Sequence, residues 1–250
     1  MRNSLSSRRL VGAVQPLVAA AFGVALLAGS SAWPQNHLMQ QRVAEIGQTA
    51  AANMRALAQY TWQEQQTISV RGRTKKQTLF QVRLGPDGKP QKAEISPQQQ
   101  APKAPPIVGG WQRRVAEKAV QKRAAEIGDY AKQIAALAQS YSQPDPQKLQ
   151  ELFRQGNISL TPAGAANEVR LVILSYLKQG DTVTIVFNRG QKALQLIEVA
   201  SYLDDPGDAV TISAKFARLP GGPDHVDSIV VKGARKHLTV TVQNSNYQRL

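Results

Sequence analysis

The stretch that decides the fold is residues 209–218, AVTISAKFAR. Two sets of side chains alternate along it: Val210, Ile212, Ala214 and Phe216 on one face, and Thr211, Ser213 and Lys215 on the other. Because successive side chains of a strand point to opposite faces, the pattern predicts a strand with one apolar and one solvated face. Residues 236–244 repeat it, with His237 on the polar face, where we assign it no role.

Strands of this kind extend over most of the chain. Beyond residue 156 we predict strands at 157–161, 168–177, 182–188, 192–202, 209–218, 226–232 and 236–244. Upstream we predict strands at 62–71, 74–84 and 91–96, with a turn at Gly72 and another over 85–88. Because the connecting turns are short, neighbouring strands are expected to be antiparallel.

The remaining segments predict helices and one loop. Apolar side chains recur at helical spacing over 37–59 and 111–141, and Asp145-Pro146 predicts the start of a shorter helix ending near Gly156. Residues 96–110 contain four prolines and no periodicity, which is typical of a loop. About ten strands with one apolar face cannot leave that face exposed to water. We therefore predict an α+β fold in which amphipathic helices cover a strongly curved antiparallel sheet, an unclosed barrel.

The first 32 residues are typical of an export signal. Arg2, Arg8 and Arg9 precede an apolar run over residues 17–28, and small residues lead up to Ala32. We expect cleavage after about Ala32 and a periplasmic location, with an uncleaved anchor as the alternative. Residues 33–250 are then expected to form one domain with a proline-rich loop at 96–110 and a helical insertion at 111–156.

The composition excludes several classes of function. The chain has no cysteine, so it forms no disulfide and uses no thiol chemistry. No nucleophile elbow, phosphate-binding glycine loop or converging ligand set is present, which predicts a non-enzyme without catalytic residues, cofactor or metal. Two acidic groups are interpreted as polar turns: Asp224, His225 and Asp227, and Asp204, Asp205 and Asp208.

The charge is strongly positive and unevenly distributed. The net charge is +14, and residues 33–156 hold 18 basic and 9 acidic side chains against 10 and 8 in residues 157–250. Five basic residues of the first hairpin are predicted to contact an anionic surface: Arg71, Arg73, Lys75, Lys76 and Arg83. The alternative is a solvated hairpin whose charges discourage aggregation. Nucleic acid is not expected as a partner, because aromatic side chains are almost absent between these residues.

The order of elements resembles the LolA family of periplasmic outer-membrane lipoprotein carriers and sorting proteins, including the RseB/MucB type. The resemblance is carried by a first helix, a strand led by Tyr60 and Trp62, a basic hairpin ending in Asp87-Gly88, central helices and a run of antiparallel hairpins. It implies an apolar cavity for acyl chains between sheet and helices, and an arginine that holds the lid closed, for which Arg71, Arg73 and Arg83 are candidates. The expected ligand contacts are Trp62, Ile68, Val70, Phe80, Val82, Phe187 and Phe216.

Two hypotheses of function follow. The first is an exported envelope protein that binds a lipid, or the acyl chains of a lipoprotein, in a cavity between sheet and helices. The alternative is a non-enzymatic interaction or sensor module whose basic hairpin binds an anionic glycolipid, an anionic membrane surface or an envelope protein.

Overall fold

The computed structural model describes residues 48–49, 51–86, 88–95, 110–142, 145–165 and 167–250. Three predicted features lie outside these residues: the export signal at 1–32, the beginning of the first helix, and the proline-rich loop as far as residue 109.

The described chain is built around one antiparallel sheet of ten strands. The strands are β1 (Tyr60–Val70), β2 (Arg73–Leu84), β3 (Pro90–Glu94), β4 (Ile158–Pro162), β5 (Glu168–Leu174), β6 (Thr182–Asn188), β7 (Ala193–Tyr202), β8 (Ala209–Arg218), β9 (Asp224–Gly233) and β10 (Leu238–Arg249). Their order is β3-β2-β1-β10-β9-β8-β7-β6-β5-β4, so β3 and β4 are the edges and the sheet is not closed into a barrel. The predicted α+β fold is confirmed.

Within the described residues, the sheet is accompanied by the helical segments α1 over residues 51–57, α2 (Gly110–Ser142) and α3 (Pro146–Arg154). The predicted cap of α3 is confirmed, because the Asp145 carboxylate accepts hydrogen bonds from the backbone N–H groups of Gln147 (2.9 Å) and Lys148 (3.4 Å). We call the face of the sheet that the helices cover the inner face.

The main core lies between the second half of α2 and the inner face of the sheet. Tyr130, Ile134, Ala138 and Tyr141 are buried at helical spacing against strands β5 to β10. Residues 121–126 of the same helix are exposed. The predicted apolar stripe therefore packs on the sheet from Ile127 onward. The side chains of its first predicted members, Trp111, Val115 and Val120, are not among those that the structure describes.

Two buried tyrosines fix the position of α2. The Tyr130 hydroxyl donates to the Asp208 carboxylate, and burial together with that carboxylate raises the pKa of Tyr130 to about 12. The Tyr141 hydroxyl donates to Asp181, which also accepts hydrogen bonds from the backbone of Tyr176 (2.6 Å) and Lys178 (2.8 Å). Because both carboxylates are largely buried, these bonds tie α2 to the turns that precede β6 and β8.

Candidate functional site

Six of the seven apolar residues predicted to contact a ligand form two groups on the inner face. The first is buried with Leu57 of α1 and consists of Trp62, Phe80 and Val82. The second is half-buried, packs against the main core, and consists of Ile68, Val70 and Phe216. Phe187 on β6 is also buried.

We call the first group, with Leu57 and the half-buried Tyr60, Leu84 and Tyr247, the β1–β2 cluster. Its centre is the Trp62 ring, which is 1% exposed. Trp62 lies directly opposite Val82 on β2 and stacks on Tyr247, with ring centroids 5.6 Å apart. This cluster is separate from the main core, and α1 contributes Leu57 to it. Burial of its rings contributes stability roughly in proportion to apolar area, and stacking adds about 1 kcal/mol.

A polar clasp connects α1 to the β8–β9 hairpin. The Asn53 side-chain amide donates to Asp224 Oδ2 (3.1 Å), and its carbonyl accepts from the Asp224 backbone N–H (3.2 Å). Asp224 also forms an ion pair with Arg218 (2.7 Å), and this pair raises the pKa of the Arg218 guanidinium. Asp224, which the structure places at the start of β9 and not in a turn, thus holds α1 beside the β1–β2 cluster.

A strip of buried polar side chains crosses the inner face next to the β1–β2 cluster. We call it the polar strip, and it consists of Glu64, Gln66, Thr78 and Asn244. Glu64 and Gln66 follow Trp62 at every second position of β1, so all three point to the inner face. Glu64 is directly opposite Asn244 on β10. The inner face therefore changes from apolar to polar and back to apolar along β1.

The charge in the polar strip is balanced by Lys92 of β3. The Lys92 ammonium and the Gln66 side-chain amide (2.7 Å) both donate to Glu64 Oε1. The Lys92 and Glu64 side chains are 3% and 2% exposed. Burial lowers the pKa of Lys92, and the Glu64 carboxylate opposes this effect. A buried ion pair of this kind is costly to form, which makes it an unusual component of a purely structural core.

Three buried polar atoms around Tyr247 have no hydrogen-bond partner in the described chain: Trp62 Nε1, His225 Nδ1 and Asn244 Oδ1. The Tyr247 ring stacks on Trp62, and its centroid lies 4.3 Å from the centroid of the His225 ring. Asn244 Nδ2 and the Tyr247 hydroxyl both donate to the Val226 carbonyl, at 2.9 Å and 3.2 Å. Burial lowers the pKa of His225, although Asp227 and Asp224 oppose the shift. Unpaired buried polar groups are rare in folded proteins.

The basic residues predicted to contact an anionic surface lie at two ends of β2. Arg71, Arg73, Lys75 and Lys76 are at the β1–β2 turn, whereas Arg83 lies at the far end of β2, where its Nε donates to Gln91 (3.1 Å). Of these residues, Arg71 lines an open groove with a volume of about 630 Å³. The groove is lined by Arg71, Gly72, Ala209, Thr211, Lys232, Gly233, Ala234, His237, Leu238 and Thr239.

Sequence reasoning missed two basic members of this groove. Lys232 is near the end of β9, and His237 lies in the β9–β10 turn, where its φ of 48° takes it out of the predicted strand. Both are exposed. Their position beside Arg71 depends on the pairing of β1 with β10, which brings together segments distant in the sequence.

No group of three or more His, Asp or Glu side chains is placed to hold a metal ion within the described ranges. None of the described helices combines the length and apolar character required to span a membrane.

The architecture was compared with known proteins. No family model and no curated protein matches the sequence. A LolA superfamily protein from Nitrosomonas europaea is similar in structure at 9% identity and a TM-score of 0.35, with 81% of this chain and 94% of that one covered. A DUF1329 family protein from Desulfovibrio piger is similar at 9% identity and a TM-score of 0.34, with 80% and 90% covered.

Proposed function

We propose that this chain is an exported envelope protein that binds a hydrophobic ligand, the acyl chains of a lipid or lipoprotein, on the inner face of its open sheet beneath α1. The observation that supports this function is the separation of the β1–β2 cluster from the main core. The proposed contacts are Trp62, Phe80 and Val82 in the cluster, then Ile68 and Val70 beyond the polar strip. Phe187 on β6 and Phe216 on β8 are proposed to contact the far end of the acyl chain.

The cover of the cluster is suited to opening. Asn53 and Asp224 hold α1 through two hydrogen bonds at the edge of the cluster. When α1 moves away, water replaces these bonds, so the net loss is about 1 kcal/mol for each. The apolar surface exposed beneath α1 is then available to an acyl chain, whose burial restores the hydrophobic contribution at about 0.8 kcal/mol per CH₂.

The unpaired polar atoms fit the polar part of such a ligand. Trp62 Nε1 is a donor and Asn244 Oδ1 is an acceptor, and both are buried beside the cluster. An ester or amide group at the head of an acyl chain offers an acceptor carbonyl, and an amide also offers a donor. We propose that these atoms bind that group while the chain lies along Phe80 and Val82.

A reversible disulfide tests whether the ligand enters beneath α1. Because the chain has no cysteine, the double variant Asn53→Cys/Asp224→Cys introduces the only two thiols. We expect oxidation to lower the affinity for a dansyl-labelled C11 fatty acid by about tenfold or more, equivalent to 1.4 kcal/mol. Reduction restores it, because α1 is then free to move. The measurement is fluorescence titration of one preparation before and after reduction.

The single variant Asn53→Cys is the matched control, since oxidation leaves it without an internal partner thiol. Thiol titration establishes that the disulfide has formed in the double variant. Equal affinity in the oxidised and reduced forms would overturn entry beneath α1, and failure of the two thiols to pair would contradict the contact between α1 and β9.

A further inference from the structure

We propose that the groove at the β1–β2 and β9–β10 turns is a binding site for a phosphate group carried by an anionic ligand. The site lies at the end of the sheet defined by these turns and includes solvent-facing side chains of β8, β9 and β10. It is independent of the acyl-chain proposal, because none of the groove residues belongs to the β1–β2 cluster or the polar strip.

Two adjoining turns bring the basic groups together. The Arg71 backbone N–H donates to the His237 carbonyl (2.9 Å), which joins the β1–β2 turn to the β9–β10 turn. Arg71 and His237 both have positive φ, 50° and 48°, and Gly72 continues the first turn at 73°. Such tight turns fix the direction in which the two basic side chains leave the backbone.

A cross-strand row supplies hydrogen-bond donors beside these turns. Lys232 on β9 lies directly opposite Thr211 on β8 and directly opposite Thr239 on β10. Side chains of directly opposed residues share a face and lie about 5 Å apart at Cβ. One ammonium group between two hydroxyl groups offers the charge and the donors that phosphate oxygens accept.

The groove residues carry charge that the fold does not neutralise. No acidic side chain lines the groove, and its two cations, Arg71 and Lys232, take part in no ion pair in the described chain. The next two basic residues differ: Arg235 pairs with Asp208 (3.1 Å) and Lys236 with Glu126 (3.1 Å). Unpaired like charges on adjoining segments repel one another, and a bound anion relieves that repulsion.

The dimensions favour a phosphate with a group attached to it. A volume of about 630 Å³ lies within the range of small-molecule sites and exceeds what a single phosphate ion occupies. No Phe, Tyr or Trp side chain lines the groove, so it lacks the stacking platform of a single-stranded nucleic-acid site.

The test compares two variants with the same loss of charge. In Arg71→Gln/Lys232→Gln both groove cations are removed, and in the control Arg170→Gln/Arg189→Gln two exposed cations elsewhere on the chain are removed. The full exported chain is sedimented with phosphatidylcholine vesicles, with and without 30% phosphatidylglycerol, and inorganic phosphate binding is measured by calorimetry. We expect the groove variant to bind the anionic vesicles roughly 30-fold more weakly than the unaltered chain and the control variant to change by less than about threefold.

The arms of the experiment distinguish the sources of the phosphate. Binding to anionic vesicles that depends on Arg71 and Lys232 supports a lipid headgroup. Binding of inorganic phosphate alone, with the same dependence, supports a soluble phosphate ligand. An equal loss in both variants would attribute binding to net charge and overturn the site, as would the absence of binding in both arms.

Discussion

Replacing Lys92 by methionine is expected to lower the free energy of unfolding by about 3–5 kcal/mol, because it leaves the Glu64 carboxylate buried without its cation. Glu64 is 1% exposed, and its remaining described side-chain donor is Gln66. Methionine keeps most of the length of the lysine side chain, so the loss reports the charge rather than the volume. The measurement is urea unfolding at pH 7, followed by circular dichroism.

The matched control for Lys92→Met is the double variant Lys92→Met/Glu64→Gln. Removing both charges avoids the uncompensated carboxylate, so we expect the double variant to recover most of the lost stability. A third variant, Lys132→Met, removes a cation whose ion pair with Asp129 is exposed, and about 0–1 kcal/mol is expected. Equal losses for Lys92→Met and Lys132→Met would contradict the buried pair.

Substituting Gly233 by alanine is expected to cost about 2–3 kcal/mol, because the added methyl group meets α2. A Cβ atom at Gly233 would lie 2.7 Å from Tyr130 Oη and closer still to Ile134 Cδ1. The close approach of α2 to β9 at this point therefore depends on the missing side chain. Thermal and urea unfolding of the variant measure the effect.

Two comparisons separate this clash from the general effect of replacing a glycine by alanine. Gly164→Ala is the control at a position where a Cβ meets nothing within 4 Å, and it is expected to change stability by about 1 kcal/mol or less. Adding Ile134→Ala to Gly233→Ala removes one of the two obstacles. The double variant is expected to lose less than the sum of the single losses, and strict additivity would contradict the packing of Ile134 on Gly233.

Most of the fold was predictable because local signals and the global arrangement agree. The alternation at Val210, Ile212 and Ala214 placed β8, and Gly72 and Asp145 placed a turn and a helix start that the structure confirms. The extent of packing along α2 was not predictable, since residues before and after Ile127 have similar periodicity. Which part of an amphipathic helix contacts a sheet depends on the length and curvature of the sheet, which the sequence does not state locally.

The candidate site was predictable only in part. Glu64 lies two residues after Trp62 and two before Gln66 on β1, and all three side chains face inward. A charged residue at an inward-facing strand position could therefore have been recognised from the sequence. Its partner Lys92 lies on another strand and could not be chosen without the register of β1, β2 and β3. The same holds for Lys232, because its proximity to Arg71 depends on the pairing of distant strands.

The measurement that tests the proposed function most directly is native mass spectrometry, with lipid extraction, of the chain recovered from the envelope fraction of its host. Acyl-chain binding on the inner face predicts a bound acyl-containing species in near-stoichiometric amount, lost on denaturation. A ligand-free mass, unchanged after incubation with envelope lipids, would contradict acyl-chain binding and leave the phosphate groove as a separate question.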